Sequence, residues 1–145
     1  MSYVKYIADV QHCNEVLSKV ASVKKLLWIG TADIKDLHVK EPGPIFREEF
    51  DRYPILSRRL ERALCPRVHF KMMIFDLDEV YVGSANLTGA GIGMKSAKTR
   101  NFEAGILTDE SALLDAAIEQ FDSVWAGFRC KECSRKKFCG DPIIP

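Results

Sequence analysis

Apolar side chains recur every second residue between Arg67 and Phe75. Val68, Phe70, Met72 and Ile74 fall on one side of an extended chain, and His69 and Lys71 on the other. The alternation predicts a strand with one face in the core and one face free to carry polar chemistry. Asp76-Leu77-Asp78-Glu79 reads as a polar turn, and Val80-Tyr81-Val82-Gly83-Ser84 as a returning strand rich in β-branched and aromatic residues. A hairpin that pairs Phe75 with Val80 sets Lys71 opposite Ser84 and His69 opposite Asn86, so four polar side chains converge on one patch. Gly83 suits that patch, because a residue without Cβ admits a phosphate or a neighbouring backbone.

Elsewhere the pattern changes period. Residues 10–20 carry helix-like spacing, and Lys25-Leu26-Leu27-Trp28-Ile29-Gly30 is a short buried strand between Lys24 and Asp33. Leu56, Leu60 and Leu64 recur every fourth residue, which predicts a helix exposing Arg58, Arg59 and Arg62, ended by Pro66. Near the C-terminus, Asp109 is placed to cap a helix whose stripe is Leu113, Leu114, Ala117, Ile118, Phe121 and Trp125. That stripe is core rather than a cofactor box. Gly89-Ala90-Gly91-Ile92-Gly93 lacks the strand-to-helix context of a dinucleotide loop and reads as a flexible loop.

Composition narrows the class. The chain has 145 residues, 47% of them hydrophobic, which suffices for one small domain with a real core. No apolar run approaches the roughly 20 residues of a membrane span, and the first residues lack a signal peptide's apolar core, so a cytoplasmic location is the default expectation. A net charge of +1 argues against a wholly basic nucleic-acid binder. Lys and Arg still cluster at Arg58, Arg59, Arg62 and Arg67, at Lys95, Lys98 and Arg100, and at Arg129, Lys131, Arg135, Lys136 and Lys137. Such runs are usually solvated faces; on one face with His69 they would track a phosphate backbone.

A His and a Lys two apart on a half-buried strand are, by themselves, ordinary solvent-face residues. The longer spacing changes that. His69, Lys71, Asp76, Gly83, Ser84 and Asn86 match the pattern H-x-K-x4-D-x6-G-S-x-N, and the chain resembles the phospholipase D superfamily on those six positions. Asn101-Phe102-Glu103-Ala104-Gly105 also resembles the family's later strand, which carries a glutamate that holds the nucleophilic histidine. The resemblance spans roughly residues 24–125. It implies an α/β fold, a mixed sheet flanked by helices. One departure is that Leu37-His38-Val39-Lys40 runs straight into Glu41-Pro42-Gly43-Pro44 where relatives place a further strand, so the fold is expected to be shortened before the strand that carries His69.

The same resemblance implies a double displacement without a catalytic metal. His69 attacks phosphorus to form a phosphohistidine, while a second histidine protonates the leaving oxygen and then activates water. With one motif per chain, a symmetric homodimer is implied, each copy giving one histidine. Lys71 and Asn86 would hold the phosphoryl oxygens, Ser84 would hydrogen-bond within the site, and Glu103 would fix the tautomer of His69. Asp76 would order the strand end rather than touch substrate. His12 and His38 read as surface or structural histidines. A nuclease is the leading expectation by analogy with small single-motif members. Phospholipase-type or small-molecule phosphodiesterase activity, and a catalytically silent nucleic-acid-binding module, remain open, as does the choice of DNA, RNA or phospholipid.

A second constellation lies in the tail. Cys130-x2-Cys133-x5-Cys139 is compact, and without a signal peptide it reads as a metal site rather than a disulfide framework. Cys65 is the expected fourth ligand, in preference to Cys13. The spacing resembles the iron-sulfur staple of some RecB-like nucleases, and zinc fits nearly as well. The expected organisation is therefore a catalytic domain over residues 1–128 and a cysteine-rich tail over 129–145, pinned to the same domain by a structural cluster or zinc.

Overall fold

The computed structural model describes residues 1–32, 34–35 and 63–140. Strands β1 (Val4–Ala8), β2 (Leu27–Gly30), β4 (Lys71–Phe75), β5 (Glu79–Gly83) and β7 (Ala104–Thr108) form one sheet in the order β1-β7-β5-β4-β2, with every neighbouring pair antiparallel. Two further strands, β3 (Ile34–Lys35) and β6 (Leu87–Thr88), make a separate parallel pair. The first helix, α1, is π-helical over His12–Leu17 and α-helical over Ser18–Val20; the long helix α2 is Ser111–Trp125.

The sheet is packed on both faces, and this corrects the expectation of one core face and one chemical face. Residues 71–75 are buried throughout. Met73, Phe75, Tyr81 and Leu107 pack with Ile7, Val16, Leu17 and Ile92 on one side, while Met72, Ile74 and Val80 pack with Leu114 and Ala117 of α2 on the other. The physical reason is that α1 covers the face the alternation left free. Phe121 closes the α2 side, stacked on Trp28 with ring centroids 4.9 Å apart and tilted against Phe70 at 6.4 Å.

The hairpin register differs by one residue from the expected one. Phe75 pairs with Glu79 rather than Val80, so Lys71 lies opposite Gly83 rather than Ser84. The cause is the tight turn at Asp76, Leu77 and Asp78, in which Asp76 and Leu77 adopt left-handed backbone with φ of 54° and 62°. Pairing ends at Lys71, so His69 and Asn86 do not face each other in a ladder.

Three other expectations change. Asp109 does not cap α2: its carboxylate accepts the Tyr3 backbone N–H at 2.6 Å, and Glu110 occupies the cap position without a side-chain bond. Of the α2 stripe, Leu114 and Ala117 are buried, whereas Leu113 and Trp125 keep 46% and 37% of their surface exposed. The glycine-rich segment is a packed turn rather than a flexible loop. Ile92 enters the core, and a β-carbon on Gly93 (φ +75°) would meet the Asp9 carbonyl at 2.6 Å. Residues 56–62 of the expected arginine-bearing helix and the segment 37–44 lie outside the described residues, and Leu64 is an exposed, non-helical residue.

Candidate active site

Strand register brings Lys71, Gly83 and Gly105 side by side across β4, β5 and β7. His69, Ser84 and Glu103 sit just beyond that row, where each strand leaves the sheet. His69 is exposed, whereas Lys71 is only 8% exposed. The Lys71 Nζ donates to the His69 carbonyl at 2.7 Å and lies 3.1 Å from Nδ1 and 3.4 Å from Nε2 of the same ring. A buried ammonium therefore supports an imidazole that is open to solvent. The ammonium has three N–H donors and no acceptor, which suits it to hold an anionic oxygen next to the ring.

A second group of bonds fixes Glu103. Ser84 Oγ donates to one carboxylate oxygen and accepts the Ala104 N–H at 3.1 Å; Asn101 Nδ2 donates to the other carboxylate oxygen at 3.1 Å. The Glu103 backbone is tied at both ends to Asp9, by N–H to Asp9 Oδ1 at 3.3 Å and by its carbonyl to the Asp9 N–H at 3.1 Å. In this chain the carboxylate is held by Ser84 and Asn101, and the expected Glu103–His69 hydrogen bond is absent among the described residues. Asn86 is half-buried next to β6, and its Oδ1 is buried without a partner among the described residues.

Asp76 lies at the opposite end of the hairpin. Its carboxylate accepts the backbone N–H groups of Lys24, Lys25 and Leu26 at 3.0, 2.6 and 2.9 Å. Those three bonds, the one from Lys24 foremost, hold its carboxyl below the usual range. A recess of about 220 Å³ lined by Lys19, Phe75, Asp76 and Glu79 among others lies at this same end, away from His69.

Two features escaped the sequence. The Tyr81 side chain lies across both Gly83 and Gly105, so these glycines make room for a phenol rather than for a phosphate. Burial raises the Tyr81 hydroxyl well above its ordinary pKa. His12 is buried behind this ring, edge-on to it at 5.5 Å, with its Nδ1 donating to the Asp9 carbonyl at 2.9 Å. Glycine at both positions the ring crosses, Gly83 and Gly105, was the available signal.

The cysteines do not form the expected centre. Cys65, Cys130, Cys133 and Cys139 are free and half-buried, and among the described residues no group of three or more His, Cys, Asp or Glu side chains is arranged to hold a metal ion. The tail instead meets residues 64–67 piecemeal. Cys139 Sγ donates to the Leu64 carbonyl at 3.6 Å, and the Cys133 thiol, lowered in pKa mainly by the Arg135 backbone N–H, also takes a bond from the Arg67 side chain. Cys13 is buried in the core.

The antiparallel sheet is covered on both faces, with the His69–Lys71 pair and the Ser84–Glu103 pair at the end where β4, β5 and β7 leave it, and this is the setting of a phospholipase D-like domain. The chain belongs to the phospholipase D-like family: residues 38–125 match the family model described as the PLD-like domain of cardiolipin synthase. Among solved structures, it is similar to Nuc from Salmonella typhimurium, a phospholipase D family member, at 17% identity and a TM-score of 0.59, covering 86% of this chain and 95% of that one. It is also similar to NucT from Helicobacter pylori at 13% identity and a TM-score of 0.55, covering 85% and 95%. These likenesses extend the shared fold to most of the chain. No curated protein matches it. No helix among the described residues is long and apolar enough to cross a membrane.

Proposed function

We propose that this phospholipase D-like chain is a nuclease that acts as a homodimer through His69 without a catalytic metal. The observation that supports it most is the exposed His69 ring resting against the buried Lys71 ammonium. One ring nitrogen of His69 attacks phosphorus, forming a P–N bond as the P–O bond to the leaving oxygen breaks. His69 of the partner subunit gives that oxygen its proton and then takes one from water, whose oxygen displaces the His69 nitrogen. Lys71 and Asn86 hold the non-bridging oxygens as charge develops on them. Glu103, released from Ser84, accepts the proton on the other ring nitrogen and so fixes the tautomer.

The test is cleavage of single-stranded DNA in excess chelator by wild type and His69→Ala, each shown to be folded and dimeric by light scattering. Loss of cleavage in the variant alone is the expected result. No cleavage by either protein would sink the nuclease reading on this substrate. Weight would then move to a phospholipid or small-molecule diester, or to a silent binding module.

A second reading concerns the tail, on the observation that Cys139 meets Leu64, next to Cys65, and Cys133 meets Arg67, two residues beyond it. In this reading an iron-sulfur cluster or zinc draws Cys65, Cys130, Cys133 and Cys139 together as a structural staple of a cytoplasmic protein, with no part in the chemistry. Metal and sulfide analysis of anaerobically purified protein tests it. A chain free of metal, with every thiol reactive, overturns it.

A further inference from the structure

Phosphodiester chemistry at His69 does not itself tell a polynucleotide from a lipid, because both present the same charged phosphorus. What distinguishes them is the group next to the phosphate. Phe102 stands beside this site at 91% exposure, the most exposed aromatic side chain among the described residues. Its two neighbours are both engaged, Asn101 and Glu103 being joined by a side-chain hydrogen bond at 3.1 Å. The backbone around it is pinned as well, by Asn101 N–H to the Ala90 carbonyl at 3.1 Å and by the two bonds between Glu103 and Asp9. The bare ring is thus carried on a fixed base. Burying a Phe side chain removes a large apolar surface from water, a gain this residue leaves unrealised in the free chain. The segment leading to it carries Lys95 and Lys98, both exposed, and Arg100, half-buried.

Two other exposed phenylalanines lack this setting. Phe138 already has the Lys137 ammonium over its ring, 4.8 Å from the centroid, and Arg135 at 5.6 Å. Phe128 is exposed past the end of α2, remote in sequence from the site residues.

We infer that Phe102, with Lys95, Lys98 and Arg100, forms a subsite for single-stranded nucleic acid, in which an unpaired base next to the scissile phosphate stacks on the ring. The inference rests on the nuclease reading and deepens it. A lone ring offers one base-sized face, and the cations on the approach suit a continuous phosphate backbone. In a duplex the base faces are already stacked on one another, so the ring discriminates by strandedness rather than by sequence.

The experiment measures fluorescence anisotropy of a labelled oligothymidylate and of a duplex of the same length, with the full chain carrying His69→Ala so that nothing is cleaved. Adding Phe102→Ala is expected to weaken single-strand binding about 5- to 150-fold. Phe102→Trp restores it, and Phe128→Ala leaves it unchanged. The salt dependence keeps its slope, because no charge is removed. Equal losses on single strand and duplex, no loss at all, or dissociation of the dimer by Phe102→Ala each overturn the subsite. If the parent protein binds neither nucleic acid but binds phosphatidylglycerol vesicles, the nuclease reading fails too. Tight single-strand binding indifferent to Phe102 fails the subsite alone.

Discussion

The phenol of Tyr81 lies over the α-carbon of Gly83, in the space a β-carbon there would need. The glycine of the G-S-x-N run is thus fixed by packing within the sheet. An added methyl would meet the Tyr81 hydroxyl and the Ala104 carbonyl, the latter at 2.7 Å. Gly83→Ala is expected to lower stability by about 1–3 kcal/mol, read from the urea midpoint. The Tyr81 hydroxyl is buried with the Ala85 backbone N–H beside it but no hydrogen bond of good geometry, so Tyr81→Phe is expected to change the same midpoint by no more than about 1 kcal/mol of stability.

Asp76 predicts a pH dependence. Its folded-state pKa is depressed by the backbone N–H groups of Lys24, Leu26 and Lys25. The unfolded chain therefore binds the proton more readily, and this contribution to stability is present above the ordinary carboxylate range and lost as pH falls through the lower folded value. Asp76→Asn should flatten the acid limb of a thermal-midpoint series while lowering stability near neutral pH. An unchanged acid limb would show that the three N–H bonds do not matter.

Leu77 predicts the opposite direction. A leucine at φ 62°, 42% exposed, gains little from burial and carries the strain of left-handed backbone. Leu77→Gly is expected to raise stability by about 0.5–1 kcal/mol, after glycine's own entropic cost. Chemical denaturation with an unchanged m-value is the check.

Glu103 separates positioning from binding. In the proposed mechanism Glu103→Gln lowers kcat by roughly 10²- to 10⁴-fold and leaves KM nearly unchanged. Ser84→Ala should cost less, since Asn101 still holds the carboxylate. An equal rise in KM for both variants would assign the pair to substrate binding instead.

Much of this architecture was legible in advance. The strand carrying Lys71 and its hairpin with β5 follow from β-rich runs broken by a polar turn, the strand at Leu27–Gly30 from a short apolar run whose expected start is Lys25, and the helix Ser111–Trp125 from its apolar stripe. β1 did not stand out, because Val4, Lys5 and Tyr6 are exposed on an edge strand and only Ile7 is fully buried. The pairing register also failed to follow, because left-handed backbone at Asp76 and Leu77 shortens the turn, and neither residue advertises it. The second packed face was hidden for a related reason: α1 comes from a distant part of the chain, and alternation within one strand does not record what covers its other side.

The spacing of His69, Lys71, Gly83, Ser84 and Asn86 by itself pointed to the family to which the chain belongs, because fixed offsets between chemically distinct residues survive in the sequence whatever the pairing register. Tertiary structure alone decided what each one touches. Lys71 is buried beneath an exposed His69, Ser84 and Asn101 hold Glu103, and Tyr81 fills the gap over Gly83 and Gly105. These depend on contacts between β4, β5, β7 and the Asp9 corner, which lie far apart in the chain and are set by how the sheet closes on its two cores.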